Sequence, residues 1–347
     1  MVRGRADGGD HDDRLTSSFF WQDGERAIRF GRDSIADAPG MLGDGYVLLT
    51  TPRAETAAPA VVAGAHAVHH VRGGLVDEIA AELLGEVDGD LVVALGGGRV
   101  IDTAKAVAAA AGGGRRAAAI PTTLSAAEMT RVHRHATGVD PATPRVRAAI
   151  VVNDPALCAS QPEPELAASA ANALAHAVEG PTTVLASPVP TLAGREAARL
   201  IALVYQSGDV VIDDRARDLL ALAALLSGYA IDGNWYGLHH VLSQTLVRVG
   251  GAGHGPANAV MLPHTIGALR SRRPDAIDAM ERAAGVDIAA LARRLAHRAG
   301  AARIRDCGVA EDRLAACADA AAGRPELDLT PPRASVEELR ALYAAAW

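Results

Sequence analysis

Aromatic side chains are scarce. Three Phe, three Trp and five Tyr make up 3% of the 347 residues, although hydrophobic residues reach 49%. The core must therefore be aliphatic and built from small side chains, which suits helices packed on helices or on a parallel sheet. Cysteine is almost missing. Cys158, Cys307 and Cys317 form no CxxC pair, and an odd, unpatterned set argues against a disulfide framework and for buried thiols in a reducing, cytoplasmic compartment. No apolar run reaches the roughly 18 residues of a membrane span. The first 17 residues lack the apolar stretch of a signal peptide; they are polar and Gly/Asp-rich and read as a disordered tail. A basic stripe is absent too. With 34 Lys and Arg scattered among 41 Asp and Glu, for a formal charge of −7, neither nucleic acid nor a membrane surface is the expected partner.

What is present is an alternation followed by a change of character. Short apolar runs at 46–50, 91–95, 117–120 and 148–152 read as buried strands, and 75–84 and 101–111 as helices. Strand–helix–strand at this spacing implies a parallel sheet. His66, His69 and His70, between the first two strands, read as surface residues. After Asp154–Pro155 the helical segments take over, at 165–175, 190–205, 215–230, 238–247, 259–269, 288–299 and 335–345, with 323–333 as a proline-rich loop. The division expected is a tail over 1–17, an α/β dinucleotide-binding domain over 18–155 and an all-helical domain over 156–347, with a ligand cleft between the two domains.

Three features carry chemistry. Gly96-Gly97-Gly98-Arg99-Val100-Ile101-Asp102-Thr103-Ala104-Lys105 follows a strand and opens a helix, where glycines admit a pyrophosphate to free N–H groups at the positive end of the helix dipole. The spacing is neither GxGxxG nor a Walker sequence. A tight turn explains a lone glycine triplet as well; the strand–helix context favours phosphate. Pro121-Thr122-Thr123-Leu124-Ser125 comes next, with hydroxyls at a strand's carboxyl end that suit a ribose or a nicotinamide amide, while Ser125 and Glu128 also match a capping box. Third, Asn172 and His176 stand at i and i+4 of one helix, followed by His239, His240 and His254. Three imidazoles and a side-chain oxygen are a possible shell for a divalent metal.

Together the segments GGGRVIDTAK, PTTLSAAEMT, NALAHAVEG and HGPANAVMLPH resemble the iron-containing (group III) alcohol dehydrogenase family, its maleylacetate reductase branch above all. The resemblance covers nearly the whole chain. It implies a Rossmann-like α/β N-terminal domain and an all-α C-terminal domain, the dehydroquinate synthase-like fold, with NAD or NADP as cofactor. By that resemblance Gly96, Gly97 and Gly98 cradle the pyrophosphate, Asp102 and Lys105 shape the loop, and Thr122, Thr123 and Leu124 line the cofactor site. Asn172, His176, His240 and His254 take the metal positions for iron or zinc, and His239 and His240 lie near the nicotinamide.

The chain departs from the family pattern at three places. Asn172 stands where metal-dependent members carry aspartate, and a neutral amide holds a cation less firmly. Gln244 replaces a histidine and cannot act as a base. Arg99 replaces the loop serine, either to bind phosphate or to face solvent. Thr51 and Arg53 end the first strand without the acid that would repel a 2′-phosphate. The activity expected is hydride transfer between nicotinamide and a secondary alcohol or ketone. His176, His240 and His254 would polarise the oxygen and His239 would exchange the proton. For a dicarboxylate such as maleylacetate, Arg131, His133, Arg134 and His135 offer cations, although a turn-rich β-hairpin also explains 131–144. Other readings remain open: a natural-product enzyme oxidising the C-terminal threonine of a peptide with decarboxylation, an NAD-dependent sugar-phosphate cyclase or lyase, and a silent binding protein. A homodimer is expected, acting on a small molecule or a peptide.

Overall fold

In the computed structural model, which describes residues 18–112, 114–207 and 210–347, the chain divides into two compact units. Unit 1 holds the described residues up to Thr122, His133–Ala159 and Arg217–Leu222, and unit 2 holds the remainder. The segment after the third predicted strand, 123–132, belongs to unit 2. The tail expected over 1–17 lies outside the described residues.

Unit 1 is built on a seven-stranded sheet of order β1-β2-β7-β6-β5-β3-β4. Its centre consists of β3 (Tyr46–Thr50), β5 (Leu91–Gly96), β6 (Arg116–Pro121) and β7 (Ala148–Asn153), all parallel. These are the four strands predicted from continuous apolar runs, and they are buried on both faces. Leu48, Val93, Leu95 and Ile120 are fully buried in one cluster; each contributes on the order of 1.5–3 kcal/mol.

Three strands escape the run criterion. β1 (Phe19–Asp23) and β2 (Arg26–Phe30) form an antiparallel hairpin turning through Gly24 at φ 61°, and β2 then adds parallel to β7. β4 (Ala65–His70) closes the other edge beside β3. His66, His69 and His70 therefore ride on an edge strand, where they pair with Asp88, Glu86 and Glu55. Helices α1 (Val76–Leu83) and α2 (Gly98–Ala110) pack on one another, and α2 also packs on β5 and β6.

No hairpin forms over 131–144: the segment is irregular, with turns only. Its centre is His133, which is buried. His133 Nδ1 donates to the Arg134 carbonyl, and Nε2 accepts from Val146 N at 3.2 Å. Burial first, and the nearby Lys105 ammonium second, push its pKa down to about 3. It is a neutral brace for the loop and no cation for a substrate. Cys158 and Cys317 are buried as expected, whereas Cys307 is only half-buried.

Among its described residues the regular elements of unit 2 are helices: α3 (Glu163–Glu179), α4 (Pro188–Tyr205), α5 (Asp214–Asn234), α6 (Leu238–Thr245), α7 (His254–Arg272), α8 (Pro274–Ala284), α9 (Ile288–Arg298), α10 (Arg313–Ala322) and α11 (Val336–Ala346). Residues 217–222 of α5 belong to unit 1. Two of these helices, α8 and α10, have no counterpart among the predicted segments.

The axis of unit 2 is α3, in contact with α4, α7 and α9. Nearly every residue from Leu166 to Glu179 is buried, so it is covered all round rather than along one stripe. Its alanines favour the helix and let neighbours approach closely. Glu163 and Glu165 sit in its first turn, where they complement the dipole. Gly180 and Pro181 end it. No helix among the described residues is long and apolar enough to cross a membrane.

Candidate active site

The glycine triplet joins β5 to α2. β5 ends at Gly96, Gly97 takes the N-cap position of α2 with no side-chain cap, and Gly98 opens the helix. No capping side chain claims the N–H groups at the start of the helix, although Val100 N already donates to the Gly97 carbonyl. A Cβ on Gly96 would lie 2.7–2.9 Å from Val100, so only glycine lets the strand turn this tightly into the helix. The Lys105 ammonium is fully buried 2.8 Å from the Asp102 carboxylate, an i,i+3 pair that braces α2 beyond its first turn. Arg99 is exposed. Thr51 caps the short helix Pro52–Glu55 by accepting from Ala54 N. These residues fit the pyrophosphate end of a nicotinamide dinucleotide.

Thr122 belongs to unit 1, and Thr123 and Leu124 to unit 2. The capping box at Ser125 and Glu128 starts no helix: Ala126 has φ 62°, and Ser125 Oγ accepts from Ala127 N in a tight local turn. That turn is held from α5. A Cβ on Gly228 would come within 2.8–2.9 Å of Met129 Cβ, Ala126 Cβ and the Ala126 carbonyl. Gly228→Ala is therefore expected to cost about 1–3 kcal/mol by overpacking and to displace Ser125, whose carbonyl accepts from Asn172 Nδ2 at 3.4 Å. Denaturant unfolding and turnover of the same variant should fall together.

The polar group of unit 2 is built from three helices. On α3, Asn172, His176 and Glu179 stand at i, i+4 and i+7, one face of an otherwise alanine-rich helix. The His176 ring stacks on His240 at 4.9 Å and 17°. Glu179 is fully buried. Its carboxylate accepts from the backbone N–H groups of His239 at 2.6 Å and His240 at 3.3 Å, and from His240 Nδ1 at 2.5 Å. It thereby places a negative charge at the N-terminus of α6. Burial, the largest single influence, would raise this carboxyl, but the hydrogen bond from His240, the neighbouring His240 and His239 rings and the His239 N–H together outweigh it and hold the pKa below the usual range.

The short link into α6 is strained. Trp235 has φ 58° and ψ −174°, a region nearly reserved for glycine that costs about 1–3 kcal/mol. The buried Asn234 imposes it: its carbonyl accepts from Thr183 Oγ1 at 2.6 Å and its Oδ1 from Ser187 N at 2.9 Å. As a result two of the few aromatic rings stand beside the histidines, with Trp235 stacked on Tyr236 and Tyr236 tilted on His240 at 5.7 Å. Arg131 lies over the Trp235 ring and pairs with Asp232. Gln244 Oε1 accepts from Arg324 at 3.2 Å.

Hydrogen-bond accounting assigns the tautomers. The Thr265 hydroxyl can donate to His239 Nδ1 (2.8 Å), leaving Nε2–H to donate to Asn258 Oδ1 (3.2 Å). The Asn258 amide then donates to His254 Nε2 (3.3 Å) and to the His254 carbonyl. His239 is fully buried, and burial first, then His240, pushes its pKa down to about 3. With both nitrogens engaged it is a strut of the site, so the proton-exchange role expected of it does not fit its surroundings. Asn172 Oδ1, His176 Nδ1 and His240 Nε2, in contrast, are buried without a partner. Burial, and next the neighbouring His240, keeps His176 well below the ordinary histidine pKa.

The donor set can be tested against a metal. The fourth lone pair, on His254 Nε2, faces the Asn258 amide, and Asn172 brings no charge. Among the described residues no group of three or more His, Cys, Asp or Glu is placed to hold an ion. These residues do not fit a firmly held divalent cation, and no step is derived through one.

A glycine turn follows a parallel strand in unit 1, and a cluster of histidines, His239 and His240 buried, lies in unit 2. The description "Iron-containing alcohol dehydrogenase" matches residues 27–155, and "Fe-containing alcohol dehydrogenase family, C-terminal" matches residues 166–347; the chain belongs to the iron-containing alcohol dehydrogenase family. A maleylacetate reductase from Pseudomonas aeruginosa is 32% identical over 307 residues, 82% of this chain and 86% of that protein. The structure of maleylacetate reductase from Agrobacterium tumefaciens covers 95% of this chain and 98% of its own, at TM-score 0.78 and 25% identity. A sulfoacetaldehyde reductase from Bifidobacterium kashiwanohense, solved in complex with NAD+, shares the fold at TM-score 0.76 and 20% identity, covering 95% and 99% of the two chains.

Proposed function

We propose that this protein is a nicotinamide-dependent carbonyl reductase and alcohol dehydrogenase, and that its substrate is a maleylacetate-like oxo acid. The observation that carries the reading is the pair His176 and His240, stacked, buried, and each presenting an unpartnered nitrogen. A buried polar atom without a partner is costly, about 1–3 kcal/mol, and two side by side point to a ligand oxygen that completes them.

When bound, NAD or NADP supplies or takes up the hydride. Gly96, Gly97 and Gly98 would hold its pyrophosphate, with Asp102 and Lys105 stiffening the helix behind them. The end of β3 carries Thr51 and Arg53 and no carboxylate, so a 2′-phosphate meets no repulsion there. Because Nδ1 of His240 donates to Glu179, its Nε2 can accept from the hydroxyl of the alcohol form, at a buried position where such a bond gains strength. Arg131, half-exposed over Trp235, supports a carboxylate-bearing substrate.

The test follows reduced-nicotinamide absorbance with maleylacetate, short secondary alcohols and threonine-terminated peptides, each with and without chelator. Turnover of maleylacetate that is insensitive to chelator is expected. Turnover of a threonine-terminated peptide alone would move the protein to peptide tailoring, and no signal with any NAD(P) form would sink the reading.

A further inference from the structure

One turn beyond His240 on α6, on the same face at i+4, stands the half-buried Gln244. A segment that follows α10 fixes its amide. Arg324 Nη2 donates to Gln244 Oε1 at 3.2 Å and to the Tyr236 hydroxyl at 3.3 Å. A guanidinium only donates, so the atom facing it is the amide oxygen, and the two Nε2–H groups point away from it. Among the described residues those two N–H groups have no partner. Arg324 is itself held. Its Nε and Nη2 donate to the two Glu326 oxygens, each at 2.9 Å, and the Tyr236 hydroxyl donates to Glu326 Oε1 at 3.1 Å. The same segment is anchored on the link into α6, where Leu238 N donates to Thr330 Oγ1 and a Cβ on Gly237 would meet Thr330 at 2.7–2.8 Å. With its charge offset by Glu326, Arg324 acts as a clamp on the amide and not as an anion site of its own.

We infer that Gln244 is a specificity-determining residue: with its oxygen fixed by Arg324, it offers its two Nε2–H groups to a carboxylate of the substrate, so that the site selects an oxo acid over a neutral ketone. This rests on the functional reading above. A carboxylate brings acceptors only, and the unpartnered Asn172 Oδ1 is an acceptor too, so the donors must come from another side chain. The Gln244 amide supplies two of them on the helix face that carries His240. A neutral ketone has no group to place there and gains nothing from them. Arg324 is the positioning residue. Without it the amide is free to turn over and set its oxygen against the carboxylate.

Steady-state kinetics of the full chain with maleylacetate and with butanone test this, after circular dichroism has verified the fold of each variant. Gln244→Glu has nearly the same shape and still faces Arg324 with an oxygen. It is expected to raise KM for maleylacetate about a hundredfold, and Gln244→Leu about thirtyfold, within the range for losing a hydrogen bond to a charged group; kcat should fall far less. The loss in kcat/KM should be about tenfold or more larger with maleylacetate than with butanone. Arg324→Lys, whose point charge cannot hold Glu326, Tyr236 and Gln244 with one planar group, should weaken the same preference about tenfold. Calorimetric binding of succinate, a dicarboxylate without a carbonyl to reduce, should weaken in parallel with KM. An unchanged KM for maleylacetate in Gln244→Glu, or equal losses with both substrates, overturns the assignment. If Gln244→Leu does not fold, Gln244→Glu decides, and if neither folds, Arg324→Lys decides. A wild type without nicotinamide-linked turnover defeats the functional reading and leaves succinate binding to decide. Binding that weakens in Gln244→Glu keeps the carboxylate contact, and binding that is absent from the wild type or equal in the variant removes it.

Discussion

Replacing His240 with alanine is expected to lower kcat by about three orders of magnitude, the middle of the range for removing a positioned acid–base group, and to cost stability as well. The stability cost arises because the Glu179 carboxylate loses its Nδ1 donor while staying fully buried, about 1.5–3 kcal/mol for a bond to a charged group. His240→Asn separates the two effects. An asparagine amide can stand where Nδ1–H stood and keep the bond to Glu179, but it offers nothing at the position of Nε2. Its unfolding free energy should lie within about 1 kcal/mol of wild type, with kcat as low as in the alanine variant. Kinetics with maleylacetate beside urea unfolding checks both, and normal turnover in either variant would remove His240 from the chemistry.

The second large effect is acid lability. His133 and His239 are buried and neutral, each with its pKa pushed from 6.5 down to about 3. The unfolded chain protonates both near pH 6.5 while the folded chain does not, so below that pH the unfolded state holds more protons and stability falls as pH drops. The contribution is complete above about pH 7.5 and is lost progressively from pH 6.5 toward 3. These two groups alone give a slope of about 3 kcal/mol per pH unit near pH 5, and His176, also held low by burial, adds to it in the same direction. Glu179, held below the usual carboxyl range, acts in the same direction at the acid end. Against a typical stability of about 5–15 kcal/mol, unfolding is expected between about pH 4 and 5. Urea titrations followed by circular dichroism at pH 7.5, 6 and 5 read the slope. His239→Gln, whose amide can still donate to Asn258, should lower that slope by about one proton. A flat profile from pH 7 to 5 would show these histidines to be accessible to protons in the folded state.

Different parts of the fold were legible for different reasons. The four central strands announced themselves because a strand covered on both faces needs an unbroken apolar run, as in YVLLT or LVVAL. β1, β2 and β4 did not: FFWQD, RAIRF and AHAVHH are half-exposed strands, and alternation over five or six residues competes poorly with turn signals. Helix α8 was missed because its apolar residues are few. Ile277 and Met280 are its two large apolar residues, and alanines with Asp275, Asp278, Glu281 and Arg282 make up most of the rest. The β-hairpin read into 131–144 failed because burying His133 against the Val146 backbone is a long-range choice that no local turn residue encodes.

In the site, residue types and spacing pointed to the glycine loop, the Asn172–His176 pair and the three later histidines, since a glycine turn and an i,i+4 face are properties of the local chain. Glu179 was present as the next polar residue on that face, three after His176, and could have been found there. What only the tertiary structure decided is the role of each nitrogen. A histidine's tautomer follows from its partners, and those partners come from α3, α6 and α7, far apart in sequence. Packing these helices turned His240 toward a buried carboxylate and His239 toward a hydroxyl and an amide. Two adjacent residues of one type thereby acquired opposite parts in the site.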